Sequence, residues 1–314
     1  FANKWISIQK KEFQRLGVIG DWDNPYTTMH FHAEAQIVRE LGKFLKNGGI
    51  YKGHRPVLWS VIEKTALADA EVEYHDHKST TIYACFPISK TDNDKLKEHS
   101  IVIWTTTPWT IPGNRALAVH NDIEYKSLNL KINDGNKNVI IASDLVESFI
   151  KENKIEEFKV NFSIKGHELT NTFCKHTLYD SGYNFEVPIL HGDFVTTEQG
   201  TGIVHICPVH GMDDFILGKQ HDLELPMTIN ESGIYYDHIP VFNGQHIFKV
   251  DQNVCDEIKK NNNLISQGIL VHSYPHSWRS KAPLVYKNTS QWFISMDTND
   301  LRTKALKAID ETDF

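Results

Sequence analysis

Cysteine is scarce and scattered in this sequence, which limits the chemistry that thiols can provide. The chain has 4 cysteines, and no two of them form a C-x-x-C pair. Disulfide frameworks and most zinc sites need closely spaced cysteines, so neither is expected here. The cysteines are Cys85, Cys174, Cys207 and Cys255. Isolated reduced thiols are typical of a cytoplasmic protein, and we therefore expect a cytoplasmic location.

Long apolar runs and a surplus of positive charge are also missing. No stretch approaches the roughly 18 apolar residues of a membrane-spanning helix, and no signal peptide opens the sequence, so no membrane association is expected. The formal net charge is −7, from 33 basic and 40 acidic residues. This balance argues against a protein that coats nucleic acid nonspecifically, but it allows a local contact with nucleic acid.

Two common catalytic motifs are absent. The sequence has no G-x-x-x-x-G-K-[ST] loop for nucleotide phosphates and no G-x-S-x-G elbow for a nucleophilic serine. No serine or cysteine can be paired with a base from its spacing alone. The sequence therefore shows no evident catalytic nucleophile.

Hydroxyl and indole side chains are concentrated in residues 104–114, which read Trp-Thr-Thr-Thr-Pro-Trp-Thr-Ile-Pro-Gly-Asn. The apolar residues 101–103 predict a strand that leads into this segment, and its two prolines predict that regular pairing stops. Threonine hydroxyls and freed backbone N–H groups at such a bend can face a carbonyl or ester oxygen. The plainer interpretation is a threonine turn that only caps the strand.

A second segment, residues 200–214, places histidines and aspartates near a strand and a helix start. Alternation puts Ile203, His205 and Cys207 on one strand face, and a helix is predicted to begin near Asp213. In one interpretation, an aspartate caps the helix and His205 is an ordinary core histidine. In another, four side chains bind Zn²⁺ or Mn²⁺, namely those of His205, His210, Asp213 and Asp214.

Together the two segments resemble the two signature motifs of the editing domain of isoleucyl-tRNA synthetases. Related domains for valine and leucine usually carry arginine at the third threonine position, where this sequence has Thr107. Residues 20–29, 274–279 and 291–296 are similar to the places where that family's chain enters and leaves the insertion. The resemblance covers essentially all 314 residues.

The resemblance implies hydrolysis of tRNA(Ile) mischarged with valine, without a cofactor or a metal. The family's aminoacylation site needs a His-x-Gly-His element and a Lys-Met-Ser-Lys-Ser loop, and this sequence has neither. We therefore expect a piece of a larger enzyme, beginning at Phe1 without methionine, that does not activate an amino acid. Its expected partners are the valine-bearing acceptor end of tRNA(Ile) and the rest of the parent synthetase, and the expected oligomeric state is monomeric.

The resemblance also implies roles for eight residues. Asp214 would bind the α-ammonium of the substrate, and the threonines would orient the ester, a water molecule or the terminal adenosine. Trp104 would stack on adenine or belong to the core, and Asn114 would support the turn. His205 would be either a wall of the side-chain pocket or a base, and the sequence leaves both open. The predicted catalytic residues are Thr105, Thr106, Thr107 and Asp214, and the predicted binding residues are Trp104, Thr110, Asn114 and His205.

The predicted fold is α/β, with a mixed, barrel-like β domain, peripheral helices and a helical stem. The predicted divisions are a stem over 1–79, the editing domain over 80–272 and a return segment over 273–314. Periodicity predicts a helix through Ala33 and Leu45, strands near 82–88, 101–104, 115–119 and 138–142, and a helix after Ser143. Polar loops are predicted at 91–98 and 133–138.

Three other classes of function remain open. A metal-dependent hydrolase would lose activity on chelation. A tRNA-binding appendage would bind tRNA without deacylating it, and a structural insertion would do neither.

Overall fold

The computed structural model describes residues 1–132 and 135–313. Asn133 and Asp134, which begin the polar loop predicted at 133–138, lie outside the described residues, as does Phe314 at the end of the predicted return segment. The chain divides into two compact units, one made of Phe1–Gly53 with Gln291–Phe314 and the other of His54–Ser290. The three predicted divisions stay a prediction.

The first unit contains three amphipathic helices. Helix α1 spans Ala2–Arg15, α2 spans Phe31–Lys46 and α6 spans Leu301–Asp310. The helix predicted through Ala33 and Leu45 is confirmed as α2. Helix α2 ends before Gly48, whose positive φ of 71° is a conformation that glycine adopts without strain.

The second unit carries most of the strands and three further helices. Helix α3 spans Val146–Glu152, directly after a short 3-10 turn at Ser143–Leu145, while α4 spans Met212–Gln220 and α5 spans Asp251–Lys260. The thirteen strands in the described part of the chain are β1 (Ile50–Ser60), β2 (Thr65–Ala66), β3 (Val72–Lys90), β4 (His99–Thr105), β5 (Ala116–Val119), β6 (Glu124–Ile132), β7 (Gly135–Ala142), β8 (Phe158–Lys165), β9 (Phe173–Lys175), β10 (Glu186–His191), β11 (Val204–Ile206), β12 (Leu264–Ser277) and β13 (Val285–Ile294).

Ten strands form one mixed sheet, which confirms the α/β prediction. The hydrogen-bonded order is β11-β5-β10-β9-β3-β4-β7-β6-β8, and β12 pairs with β3 beside this path. Strands β5 and β10 are parallel, as are β4 and β7, whereas the other pairs are antiparallel. Within the described residues the path is open between β8 and β11, so the barrel-like sheet is not closed. A second sheet has the order β13-β1-β2.

Both faces of β3 are buried in its central part. The predicted alternation of Ile82, Ala84 and Phe86 is confirmed, because these side chains pack in the largest core cluster. The intervening residues Tyr83 and Cys85 pack in a second cluster with Phe149 of α3. A strand covered on both faces requires apolar residues at nearly every position, which explains the continuous Ile82–Phe86 run. All four cysteines are free and buried.

Candidate functional site

The threonine segment begins where β4 ends. Pro108 opens a 3-10 helix over Pro108–Gly113, so the chain turns away from the sheet immediately after the threonines. The backbone N–H of Thr107 donates to Thr105 Oγ1 over 3.1 Å, and Thr110 Oγ1 donates to the Thr107 carbonyl over 2.8 Å. The local threonine turn of the plainer interpretation is therefore present. It also fixes the directions of the hydroxyl groups.

These hydroxyls form a continuous chain that reaches the second segment. Thr105 Oγ1 and Thr107 Oγ1 are 3.2 Å apart, and Thr107 Oγ1 and Thr110 Oγ1 are 3.3 Å apart. Thr110 Oγ1 lies 2.9 Å from His205 Nε2 on β11. Strand β11 is held next to this segment because it pairs with β5, with His205 opposite Leu117. Four of the predicted site residues thus belong to one hydrogen-bonded network.

Asn114 fixes the other side of the His205 ring. Its Nδ2 donates to His205 Nδ1 over 2.7 Å and to the Ala116 carbonyl over 2.9 Å. An amide nitrogen only donates, so Nδ1 accepts and the ring hydrogen resides on Nε2, which donates to Thr110. Asn114 is fully buried and His205 is 7% exposed. The ring is therefore held in one orientation and one tautomer.

The electrostatic environment keeps His205 neutral. Burial, with a smaller contribution from His210, lowers the pKa of His205 to about 3. Nδ1 of His205, the ring nitrogen without a hydrogen, accepts the hydrogen bond from Asn114. It therefore has no free lone pair with which to take a proton from water. The ring offers a rigid, uncharged surface.

Asp214 lies in the first turn of α4 and connects that helix to β11. Its Oδ2 accepts from the backbone N–H of Cys207 over 2.7 Å. Gly211 is the N-cap residue, no side chain caps the helix there, and a Cβ on Gly211 would lie 2.8 Å from the Asp214 carboxyl carbon. Burial, followed by the neighbouring Asp213 charge, raises the pKa of Asp214 to about 7. The carboxyl group is thus partly withdrawn from water, whereas Asp213 is exposed.

A cavity of about 470 Å³ opens on one side of the threonine segment, and we call it the threonine cavity. Thr106, Thr107 and Trp109 line it together with residues 77–80 of β3 and residues 247–249, 251 and 252 around the start of α5; Tyr274 and Pro283 complete the wall. Its volume is in the range of small-ligand sites. His205 and Asp214 are not among its lining residues.

Trp104 links the two segments from the sheet side. It lies opposite Tyr83 in the β3–β4 pair and packs, partly buried, against the second core cluster. A Cβ at Gly200 would lie 3.3 Å from the Trp104 side chain, and Gly200 has a positive φ of 78°. The indole therefore packs over the Gly200 turn, which places the start of the second segment beside the first.

Several residues around the site lie outside the two sequence segments, and nothing in the sequence identifies them as site residues. The Tyr235 hydroxyl donates to the Trp109 carbonyl, and Asp251 lines the threonine cavity. His176 Nε2 donates to the Ile111 carbonyl over 3.1 Å. These residues come from distant segments of no distinctive composition, so only the folded chain brings them to the site.

The described residues contain no group of three or more His, Cys, Asp or Glu side chains arranged to hold a metal ion. Both ring nitrogens of His210 are in hydrogen bonds, Nδ1 with the Tyr286 carbonyl at 2.7 Å and Nε2 with Thr228 Oγ1 at 2.6 Å. In the part of the chain that the structure covers, no helix combines the length and apolar character needed to cross a membrane.

Comparison with known proteins gives one family over the whole chain. The family model described as tRNA synthetases class I (I, L, M and V) matches residues 1–314. The isoleucine–tRNA ligase of Pelagibacter ubique is 53% identical over 317 residues, which cover 100% of this chain and 35% of that protein. That of Gluconobacter oxydans is 45% identical over 336 residues, again covering 100% of this chain and 35% of the relative. The chain therefore spans about a third of the length of these relatives.

One solved structure, described as the crystal structure of GlLeuRS-CP1, matches 61% of this chain and 99% of its own chain. Its sequence identity is 15% and its TM-score is 0.46.

Proposed function

The chain belongs to the class I tRNA synthetases of the isoleucine, leucine, methionine and valine group, and on that premise we propose that it hydrolyses valine wrongly esterified to tRNA(Ile). We also propose that this chain does not itself aminoacylate tRNA. One observation carries it, namely the hydroxyl network that runs from Thr105 through Thr107 and Thr110 to His205. This network is a fixed array of polar groups suited to holding an ester.

The proposed chemistry relies on positioning. An aminoacyl ester already has an electrophilic carbonyl and a neighbouring ribose hydroxyl, so a correctly placed water molecule needs little further activation. Thr106 and Thr107 are partly exposed and line the threonine cavity, which makes them the hydroxyls most accessible to a substrate. Thr105 and Thr110 are buried and hold the network in place.

Asp214 is proposed to bind the α-ammonium group of the substrate. Its carboxyl group is partly buried and is fixed by Cys207 N–H, so an incoming cation would meet an oriented and poorly hydrated partner. A cation beside it favours the ionised carboxylate, so binding would lower the raised pKa of Asp214. Losing such a charged partner typically costs several kcal/mol.

Discrimination between valine and isoleucine requires exclusion. Burying one methylene stabilises by only about 0.8 kcal/mol, so attraction alone separates the two side chains weakly. The isoleucine enzyme is itself the standard case of this problem, in which a second, smaller site destroys products that the first site cannot reject. A ring locked by two hydrogen bonds, such as His205, would exclude a larger side chain because it cannot move aside.

The test is hydrolysis of Val-tRNA(Ile) and of a valyl-adenosine ester by this chain, with ATP–pyrophosphate exchange measured in parallel. Ester hydrolysis without exchange is expected, and isoleucine-dependent exchange would overturn the proposal. Activity should survive prolonged EDTA treatment, whereas loss that is reversed by Zn²⁺ would favour a metallohydrolase. Binding of tRNA without any hydrolysis would favour a tRNA-binding appendage.

The network itself is tested by Thr110→Val, which removes the hydroxyl between Thr107 and His205 and preserves the shape of the side chain. Thr170→Val is the matched control, because Thr170 Oγ1 also donates to the carbonyl three residues earlier, over 2.7 Å. We expect deacylation to fall at least tenfold in Thr110→Val only. Equal effects of the two substitutions would show that the network has no role in hydrolysis.

A further inference from the structure

The fold pairs a serine with a histidine that sequence spacing does not connect. Ser79 Oγ on β3 lies 2.9 Å from His272 Nε2 on β12, although the two residues are 193 positions apart. Strands β3 and β12 are antiparallel, and His77 lies opposite His272. Ser79 follows His77 on the same strand face, so it is the diagonal neighbour of His272. A hydroxyl and an imidazole at this distance form a pair that can exchange a proton.

Ser79 also belongs to the wall of the threonine cavity. It lines this cavity, as do Thr106 and Thr107 of the ester site, and its side chain is only 7% exposed. The β3–β4 pairing includes Ile82 opposite Thr105. Ser79 lies just beyond that pair, on the side toward which the threonine segment continues. A group bound at Thr106 and Thr107 therefore shares its cavity with Ser79.

His272 has a freedom that His205 lacks. The two ring nitrogens of His205 are in hydrogen bonds with Asn114 and Thr110, and burial keeps that ring neutral. The ring of His272 is only partly buried, and its Nε2 is the hydrogen-bond partner of Ser79. A neutral imidazole that reaches solvent can take a proton from a hydroxyl group and later release it. His272 is therefore placed to act as the general base that His205 cannot be.

Aromatic neighbours orient the His272 ring. The ring of Tyr274 meets it edge to face, with centroids 5.6 Å apart and planes inclined by 77°. Tyr274 in turn stacks on His77, with centroids 4.8 Å apart and planes inclined by 29°. Burial, followed by the charges of His276 and His272, lowers the pKa of His77. His77 is therefore uncharged near neutral pH, and it adds no positive charge beside His272.

We propose that Ser79 and His272 form a proton relay that activates the water molecule in ester hydrolysis. This inference rests on the proposed function, because the water attacks the ester bound there. The Ser79 hydroxyl donates to His272 Nε2, and its oxygen accepts a hydrogen bond from the water. As the water oxygen bonds to the ester carbonyl carbon, a water proton passes to Ser79 and the Ser79 proton passes to His272. The bond between that carbon and the ribose oxygen then breaks, valine leaves, and the ribose oxygen takes the proton back through Ser79.

Steady-state hydrolysis of Val-tRNA(Ile) by the full chain tests the relay. Ser79→Ala and His272→Gln should each lower kcat about 100-fold with little change in KM, because a general base acts in the transition state. Ser79→Thr keeps the hydroxyl group and should restore most of the rate. Ser127→Ala is the matched control, since Ser127 Oγ lies 2.8 Å from His99 Nε2 in a buried pair that does not line the cavity. Circular dichroism verifies that each variant folds.

Added imidazole separates proton transfer from a structural role of the pair. The glutamine of His272→Gln can still hydrogen-bond to Ser79, but it cannot take up a proton. In His272→Ala, free imidazole should raise the rate about tenfold by replacing the missing base, whereas His99→Ala should not respond. Full activity of His272→Gln, or no response of His272→Ala to imidazole, would overturn the relay.

A small activated ester separates this inference from the proposed function. Hydrolysis of the p-nitrophenyl ester of valine needs no tRNA, and it should also fall in Ser79→Ala and His272→Gln. If the chain hydrolyses this ester through the pair but does not hydrolyse Val-tRNA(Ile), the proposed function is wrong and the relay stands. If it hydrolyses Val-tRNA(Ile) and the two variants keep the full rate, the relay is wrong and the proposed function stands. No hydrolysis of either ester would overturn both.

Discussion

Asn114 Nδ2 lies 2.7 Å from His205 Nδ1, although the two residues are 91 positions apart in the chain. This hydrogen bond joins the end of the threonine segment to the strand of the second segment. Through Thr110 on the opposite ring nitrogen, it makes the two segments one unit. Stability and catalysis should therefore respond together when either partner is changed.

Asn114→Ala should destabilise the fold by about 1–3 kcal/mol, because it leaves the buried His205 Nδ1 and the Ala116 carbonyl without their donor. Urea unfolding measures the change. Asn129→Ala is the control, since the Asn129 amide donates to Asn138 over 2.8 Å but is only partly buried. Equal losses for the two variants would contradict a special role for the Asn114 to His205 bond.

Elements that depend on interactions between residues close in the sequence can be predicted from it, whereas pairings between distant segments cannot. Helix α2 and strands β3, β4 and β7 were predictable because their apolar periodicity is local. The parallel pairing of β10 with β5 was not, since no residue pattern in either strand specifies its neighbour. Whether the sheet is open or closed depends on the same strand order. The sequence alone therefore could not distinguish an open sheet from a closed barrel.

The site shows the same division. Each segment could be recognised by itself, and the threonine turn was predictable from the Thr107-Pro108 sequence. The sequence leaves the role of His205 open between pocket wall and base, because the answer depends on the contacts of Asn114 and Thr110 with its two ring nitrogens. Lys249 and Asp251 had no local signal, since α5 reaches the threonine cavity only through the folded sheet.

Acid should destabilise the protein through three histidines whose pKa values are lowered in the native state. Burial lowers the pKa of His176 and His205 to about 3 and that of His210 to about 4. Between these values and about 6.5 these histidines bind more protons in the unfolded chain than in the native one, so their contribution to stability is full above pH 6.5 and is lost as the pH falls. Each histidine contributes up to about 1.4 kcal/mol per pH unit in that window.

The measurement is urea unfolding of the unaltered chain and of His176→Asn from pH 7.5 to 5. Raised carboxyl pKa values at Asp214 and Asp251 act with the opposite sign, so the difference between the two proteins is the informative quantity. The variant should show the shallower loss of stability below pH 6.5. Parallel curves for the two proteins would contradict the assignment.

Asp214→Asn should lower kcat/KM for Val-tRNA(Ile) on the order of 100-fold, equal to about 2.7 kcal/mol, because the ammonium loses its charged partner. Asp213→Asn is the matched control, being adjacent and exposed. With a free-enzyme pKa of about 7 for Asp214, activity should rise with pH around that value, and the rise should vanish in Asp214→Asn. A larger loss in Asp213→Asn would show that the ammonium site is misassigned.

Asp214→Asn should also change the pH dependence of stability. Because the native pKa of Asp214 is raised, the native state binds more protons than the unfolded one between about 3.9 and 7, and stability is lost as the pH rises through 7. The substitution removes this loss. The difference in the free energy of unfolding, variant minus unaltered chain, should therefore be more positive at pH 8 than at pH 5 when it is measured by urea unfolding. A difference that does not change with pH would contradict the raised pKa of Asp214.

His205→Ala should change substrate selectivity. A neutral ring with a pKa near 3 and both nitrogens in hydrogen bonds is a poor base but a rigid wall, so truncating it should enlarge the space for the substrate side chain. The preference for Val-tRNA(Ile) over Ile-tRNA(Ile) should fall, because the methylene that the ring had excluded now fits. The ratio of kcat/KM for the two charged tRNAs, with circular dichroism to verify folding, measures this. If His205 activates water instead, both rates should fall equally and the ratio should stay constant.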